Sequence, residues 1–125
     1  MRVQPTVVTL VFALAVMAGL SAAPQGNPEA AKVKNPVAAS AESVAAGEKT
    51  YQKFCRSCHG KTGGGGLGPS LIDETWDTGS TDGEVFAVIQ KGTGSRMEAW
   101  DDRINEAETW DLVNYMRTLV AGKAE

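Results

Sequence analysis

Apolar positions recur at three- and four-residue spacing in three stretches of the chain, and each stretch predicts a helix. In the first, opened by Ser43 and running through Lys53, Val44, Gly47, Tyr51 and Phe54 share one face and the pattern ends at Cys55. In the second, Thr81-Asp82-Gly83-Glu84 has the spacing of a capping box ahead of Val85, Phe86 and Ile89, and Gly92 supplies a stop. In the third, Asn105 stands three residues before Glu108, another N-terminal cap signal, and Leu112, Tyr115, Met116 and Leu119 line one face before Gly122. No segment reads as a strand, so the expected fold class is all-α.

The start of the chain has a different pattern. Arg2 gives a thin positive region, Val7 to Leu20 is almost unbroken apolar, and Ser21-Ala22-Ala23 offers small residues for cleavage after any of the three. Residues 1–23 therefore read as a secretory signal peptide. A retained anchor is the alternative, although the apolar run to Ala23 falls slightly short of the roughly twenty residues that span a bilayer. Residues 24–42 carry Pro24, Pro28 and Pro36 among alanines with no aromatic, which predicts a linker. Residues 43–125 remain as a single domain without internal repeats.

The candidate chemistry is concentrated in Cys55-Arg56-Ser57-Cys58-His59, which contains both cysteines and the only histidine of the chain. Two thiols three residues apart, with a histidine directly after the second, form the attachment signature of a c-type haem. Along one side of a helical turn each thiol can add to one vinyl group of the same porphyrin, and the adjacent imidazole reaches the iron. Structural zinc needs four ligands where this turn offers three candidates. A thioredoxin-like pair lacks its βαβ setting, and a plain disulfide leaves the histidine unexplained. With both cysteines committed to haem, no disulfide is available.

A single histidine rules out bis-histidine ligation and leaves methionine, lysine or an open sixth site. Met1 and Met17 lie in the N-terminal apolar segment and Met116 in a periodic helix; Met97 lies in a loop downstream of the attachment turn. A thioether suits an iron that cycles between ferrous and ferric states and raises its potential. The competing reading of Met97 is that it fills a gap in the core.

From about Ser43 to Val120 the chain resembles a class I, mono-haem cytochrome c of the small bacterial type. Gly47 and Tyr51, eight and four residues before Cys55, resemble that family's helix-contact glycine and aromatic, and Cys55, Cys58 and His59 match its attachment motif. Gly68-Pro69-Ser70-Leu71 resembles the stretch whose proline carbonyl accepts a hydrogen bond from the ligand imidazole, and Met97 matches the axial methionine. Leu112, Tyr115 and Leu119 resemble the inward face of the C-terminal helix, which in the family crosses the first helix at the glycine. The resemblance implies helices wrapped around one covalently attached haem c, with cofactor-binding residues Cys55, Cys58, His59, Pro69 and Met97 and iron ligands His59 and Met97. It also implies export to the periplasm, where haem is attached. Glu98 stands where many members have proline, which adds a negative charge near the ligand and implies a lower potential.

The roughly eighty residues of the domain make a marginal apolar core, and a haem supplies volume that the chain lacks, so the apoprotein is expected to be largely unfolded. Gly63 to Gly66 lacks the Gly-Lys-Ser/Thr end of a phosphate loop; it reads as close passage past the haem edge or as a flexible surface loop. Trp110 is expected in the core; for Trp76 and Trp100 core filling is the leading reading and packing on haem or shielding a propionate the other.

The net charge is −3, and without residues 1–23 it is −4, from 11 basic and 15 acidic side chains. That balance argues against nucleic acid as a partner and suits docking with a neutral or basic redox protein. The leading expectation is a monomeric, non-enzymatic one-electron carrier between redox donors and acceptors. The first alternative is a dedicated electron-accepting partner or tethered subunit of a periplasmic dehydrogenase or terminal oxidase, on the membrane only if the N-terminal segment is retained. A haem enzyme or gas sensor with an open sixth site is the lesser alternative.

Overall fold

In the computed structural model, residues 26–94 and 96–122 are described, and the expected leader lies outside them. The order is a short 3-10 turn at Ala30–Lys32, then α1 (Ala41–Phe54), α2 (Arg56–His59), α3 (Asp82–Lys91) and α4 (Glu106–Gly122). Among the described residues there is no strand.

Helix α1 starts two residues before the expected Ser43. Ser40 is its N-cap, its side chain accepting from the Ser43 backbone N–H at 3.2 Å. Ser43, released from capping, is buried and donates its hydroxyl to Asp111 of α4 at 2.5 Å. The two other cap signals form as read. Thr81 and Glu84 close a reciprocal box on α3, and Asn105 and Glu108 do so ahead of α4, at 3.0 and 2.9 Å. Each box satisfies backbone donors that a helix start otherwise leaves open.

Helices α1 and α4 cross at Gly47, where a methyl group would overlap the Asp111 carbonyl oxygen and come within 2.8 Å of Tyr115 Cβ. The bare backbone lets Tyr51, Leu112 and Val113 become fully buried around the crossing. The Tyr51 and Tyr115 rings meet there at 5.3 Å. Burying side chains of this kind is worth roughly 1.5–3 kcal/mol each. Trp110 stacks on Phe86 at 4.1 Å, joining α4 to α3. Gln90 is buried beside them, donating to the Ile104 carbonyl at 3.0 Å and the Thr109 hydroxyl at 2.7 Å.

The described part of the expected linker is fastened to the domain. Asn35 donates to the Trp110 carbonyl and to Asn114 Oδ1, and Asn114 Nδ2 returns bonds to the carbonyls of Val37 and Ala38 and to Ser43 Oγ. Further back, the chain runs so close to α3 that a side chain at Gly83 would overlap the Ala30 carbonyl oxygen. Polar pairing across distant sequence holds this strap, and local composition carries no trace of such pairing.

Candidate functional site

The attachment motif forms one tight turn because α2 begins as α1 ends. Cys55 caps α1 through its N–H to the Tyr51 carbonyl, and the N–H of His59 reaches back to the Cys55 carbonyl at 3.0 Å. Gly60, with φ +84°, then breaks the helix. The Tyr51 hydroxyl donates to the Gly60 carbonyl at 2.7 Å and ties the turn to the core. Burial pushes the Tyr51 phenol up to about 12, so it stays a donor at neutral pH.

The glycine run is fastened to the attachment motif through its backbone. It wraps behind the motif, with Gly65 N–H donating to the His59 carbonyl and Gly68 N–H to the Cys58 carbonyl, both at 2.8 Å. These bonds satisfy carbonyls at the end of α2. Positive φ at Gly63 and Gly65 is what lets so short a segment turn twice.

The wrap delivers Pro69 to the imidazole. His59 is buried, and its Nδ1 lies 2.9 Å from the Pro69 carbonyl oxygen. A carbonyl only accepts, so Nδ1 carries a proton, and in the neutral imidazole Nε2 then keeps the free lone pair. Gly68 presses on the same ring: a methyl group there would sit 2.7 Å from Cε1.

His59 looks into a cavity of about 730 Å³ whose walls include Cys55, Cys58, Pro69 and Met97. Thus all five site residues read from the sequence share one cavity. Cys55 is half-buried and Cys58 exposed. Burial, with Cys58 beside it, pushes the Cys55 thiol up to about 12. Apolar lining comes from Phe54, Leu71, Val85, Val88, Ile89 and Leu112. At the mouth Leu67 is 91% exposed.

Met97 is held by its backbone. Thr93 N–H donates to the Met97 carbonyl at 2.9 Å, and Met97 N–H donates to the Thr93 hydroxyl at 3.1 Å. Trp100 N–H anchors the end of the loop on the Ile89 carbonyl at 3.1 Å. Glu98, in the position where the resemblance led to an expectation of proline, pairs with Arg103 at 2.7 Å.

Among the further lining residues are Trp76, Trp100 and Met116. Trp76 and Trp100 pack against the core as expected and also line the cavity. Trp76 Nε1 is buried with no hydrogen-bond partner among the described residues. Met116 lines the cavity four residues after Leu112, which lines it too. That helical spacing was the signal that could have found it.

These residues fit a haem c. The volume is in the range of about 300–1,000 Å³ usual for cofactor sites. A protonated Nδ1 frees Nε2 for iron, two thiols lie at one wall, and the orphaned indole N–H suits an acceptor such as a propionate oxygen.

Residues 42–116 match the family model described as cytochrome c oxidase, cbb3-type, subunit III. The chain is 31% identical over 97 residues to the cbb3-type cytochrome c oxidase subunit CcoP of Azospirillum sp. strain B510, covering 71% of this chain and 33% of that protein. It is 31% identical over 78 residues to cytochrome c-L of Methylorubrum extorquens, covering 61% of this chain and 40% of that one. Among solved structures, cytochrome cL of Methylophaga aminisulfidivorans superposes with a TM-score of 0.58 at 27% identity, over 62% of this chain and 53% of that chain. The chain thus spans about a third of the length of the oxidase subunit and two fifths of cytochrome c-L.

Proposed function

Since the chain belongs to the family described as cytochrome c oxidase, cbb3-type, subunit III, we propose that it is a one-electron carrier holding one haem c covalently through Cys55 and Cys58. Its axial ligands in this reading are His59 and Met97. The observation that carries it is the 2.9 Å bond from His59 Nδ1 to the Pro69 carbonyl, because it points a free Nε2 into a cavity that Met97 also lines. When bound, the haem supplies an iron that gains or loses one electron.

The chain's own part is to hold that iron unchanged in both states. Pro69 fixes the proton on Nδ1, so the imidazole neither flips nor loses its orientation. Thr93 holds the Met97 backbone, and the apolar wall keeps water from competing for the sixth position. No substrate is transformed, and the partners are redox proteins that give or take the electron.

A second reading has specific support: relatives named as oxidase subunits match a domain of this size within a longer chain. There the domain accepts electrons as the partner or tethered part of an oxidase or dehydrogenase. Both readings place it in the periplasm, supported by the leader-like residues 1–23 and by the attachment chemistry. Among the described residues no helix is long and apolar enough to cross a membrane, so membrane attachment would rest on the N-terminal segment.

The test is an optical spectrum of the purified, haem-bearing protein in both oxidation states, with and without carbon monoxide, for wild type and Met97→Ala. Wild type is expected to show the weak near-infrared sulfur-to-iron band when oxidised and to resist carbon monoxide; Met97→Ala should lose the band and bind the gas. A wild type without the band that binds carbon monoxide readily has an open sixth site, and the enzyme or sensor reading replaces electron transfer.

A further inference from the structure

The loop from Gly92 to Trp100 is fixed at its root and at its end, yet the residue next to the expected ligand is Glu98, an exposed carboxylate. A carboxylate beside a sulfur ligand has two costs. It favours ferric over ferrous iron, and its hydration draws the loop toward solvent.

The structure shows what opposes both. Arg103 Nη2 lies 2.7 Å from Glu98 Oε2, and Arg103 Nε lies 3.2 Å from Asp102 Oδ1. The guanidinium also sits 4.0 Å from the centre of the Trp100 ring. Trp100 packs on Phe54 at 5.5 Å, and both rings line the cavity next to Cys55. A continuous chain of contacts therefore runs from the carboxylate beside Met97, through Arg103 and Trp100, to Phe54 at the end of α1, directly before the attachment turn.

An exposed ion pair by itself contributes little. Here the guanidinium sits over the Trp100 ring, so less freedom remains for Arg103 to lose when Glu98 meets it. We infer that Arg103 is a positioning residue for the ligand loop: it holds Glu98 against the Trp100 wall, restrains release of Met97, and neutralises the carboxylate beside the sulfur. This rests on Met97 being the sixth ligand.

The test is a double-mutant cycle on the haem-bearing protein with Arg103→Gln, Glu98→Gln and the pair, reading cyanide capture by the oxidised form and the reduction potential. Cyanide capture is paced by release of the sulfur. Each single substitution should quicken it about two- to fivefold, and the pair no more than either alone, because one contact is removed in all three. The potential should fall in Arg103→Gln, rise in Glu98→Gln, and return near wild type in the pair, a pattern that mere loosening does not produce.

Capture rates that multiply in the pair, or potentials that fail to move in opposite directions, overturn the inference about Arg103. A sulfur-to-iron band that survives Met97→Ala overturns the ligand reading beneath it, so the two failures are told apart. Both substituted side chains are exposed, Arg103 at 41% and Glu98 at 62%.

Discussion

Gly47 of α1 faces the Asp111 carbonyl of α4 so closely that no side chain fits between them. The two helices carry Tyr51, Phe54, Leu112 and Met116, which line one cavity, so their spacing sets its shape. Gly47→Val should force them apart and cost about 1–3 kcal/mol. Denaturant unfolding of the haem-bearing protein reads this as a lowered midpoint, and an unchanged midpoint would mean that the crossing tolerates a side chain.

Met116 and Met97 reach the same cavity from different supports. Met116 is buried in the middle of α4, whereas Met97 rides on a loop. Met116→Leu, close in volume, should leave the near-infrared band intact and cost less than about 1.5 kcal/mol. Loss of the band in Met116→Leu, with its retention in Met97→Ala, would exchange the two assignments.

Glu84 gives the domain an acid-sensitive corner. Hydrogen bonds from the backbone and hydroxyl of Thr81 hold its carboxyl below the ordinary 4.5, with backbone donors at Asn27 and Ser80 adding. Because the folded value is the lower one, this stabilisation is complete above about pH 4.5 and is lost as pH falls through the folded value. Glu84→Gln should lower stability at neutral pH and flatten the loss below that point. Parallel stability profiles for variant and wild type would show that the carboxylate contributes nothing to acid sensitivity.

Trp76 offers a donor that the described protein does not use. Its turn is well fixed: Trp76 N–H donates to Ser80 Oγ at 2.8 Å, and Arg117 holds the Ser80 carbonyl at 2.7 Å. If the bound group supplies the acceptor, the indole proton should exchange slowly in the haem-bearing protein, and Trp76→Phe should shift the reduction potential. Fast exchange by NMR together with an unmoved potential would leave Trp76 as wall alone.

What the sequence revealed and what it hid divide by range. Thr81 with Glu84 and Asn105 with Glu108 were legible because each cap is completed within three residues. The turn from Cys55 to His59 is equally local, whereas only the fold shows that Pro69 and Met97 share its cavity. The start of α1 was misplaced because Ser40 and Ser43 are equivalent caps locally; Asp111, 68 residues away from Ser43, decides between them. Trp76 and Trp100 were read first as core because an indole against a cofactor and an indole against side chains carry the same pattern. The strap was invisible because Asn35 has its partners at Trp110 and Asn114.

Asn114 has a consequence for the order of events in folding. Its amide joins pieces of chain separated by 71 to 79 residues, and its partners on the strap have no surface to meet until α1 and α4 are paired. Contacts of such span form late, since loop closure must precede them. Docking of the strap therefore waits on the helical pair, and limited proteolysis is expected to cut within residues 33–40 before it cuts within α1 or α4.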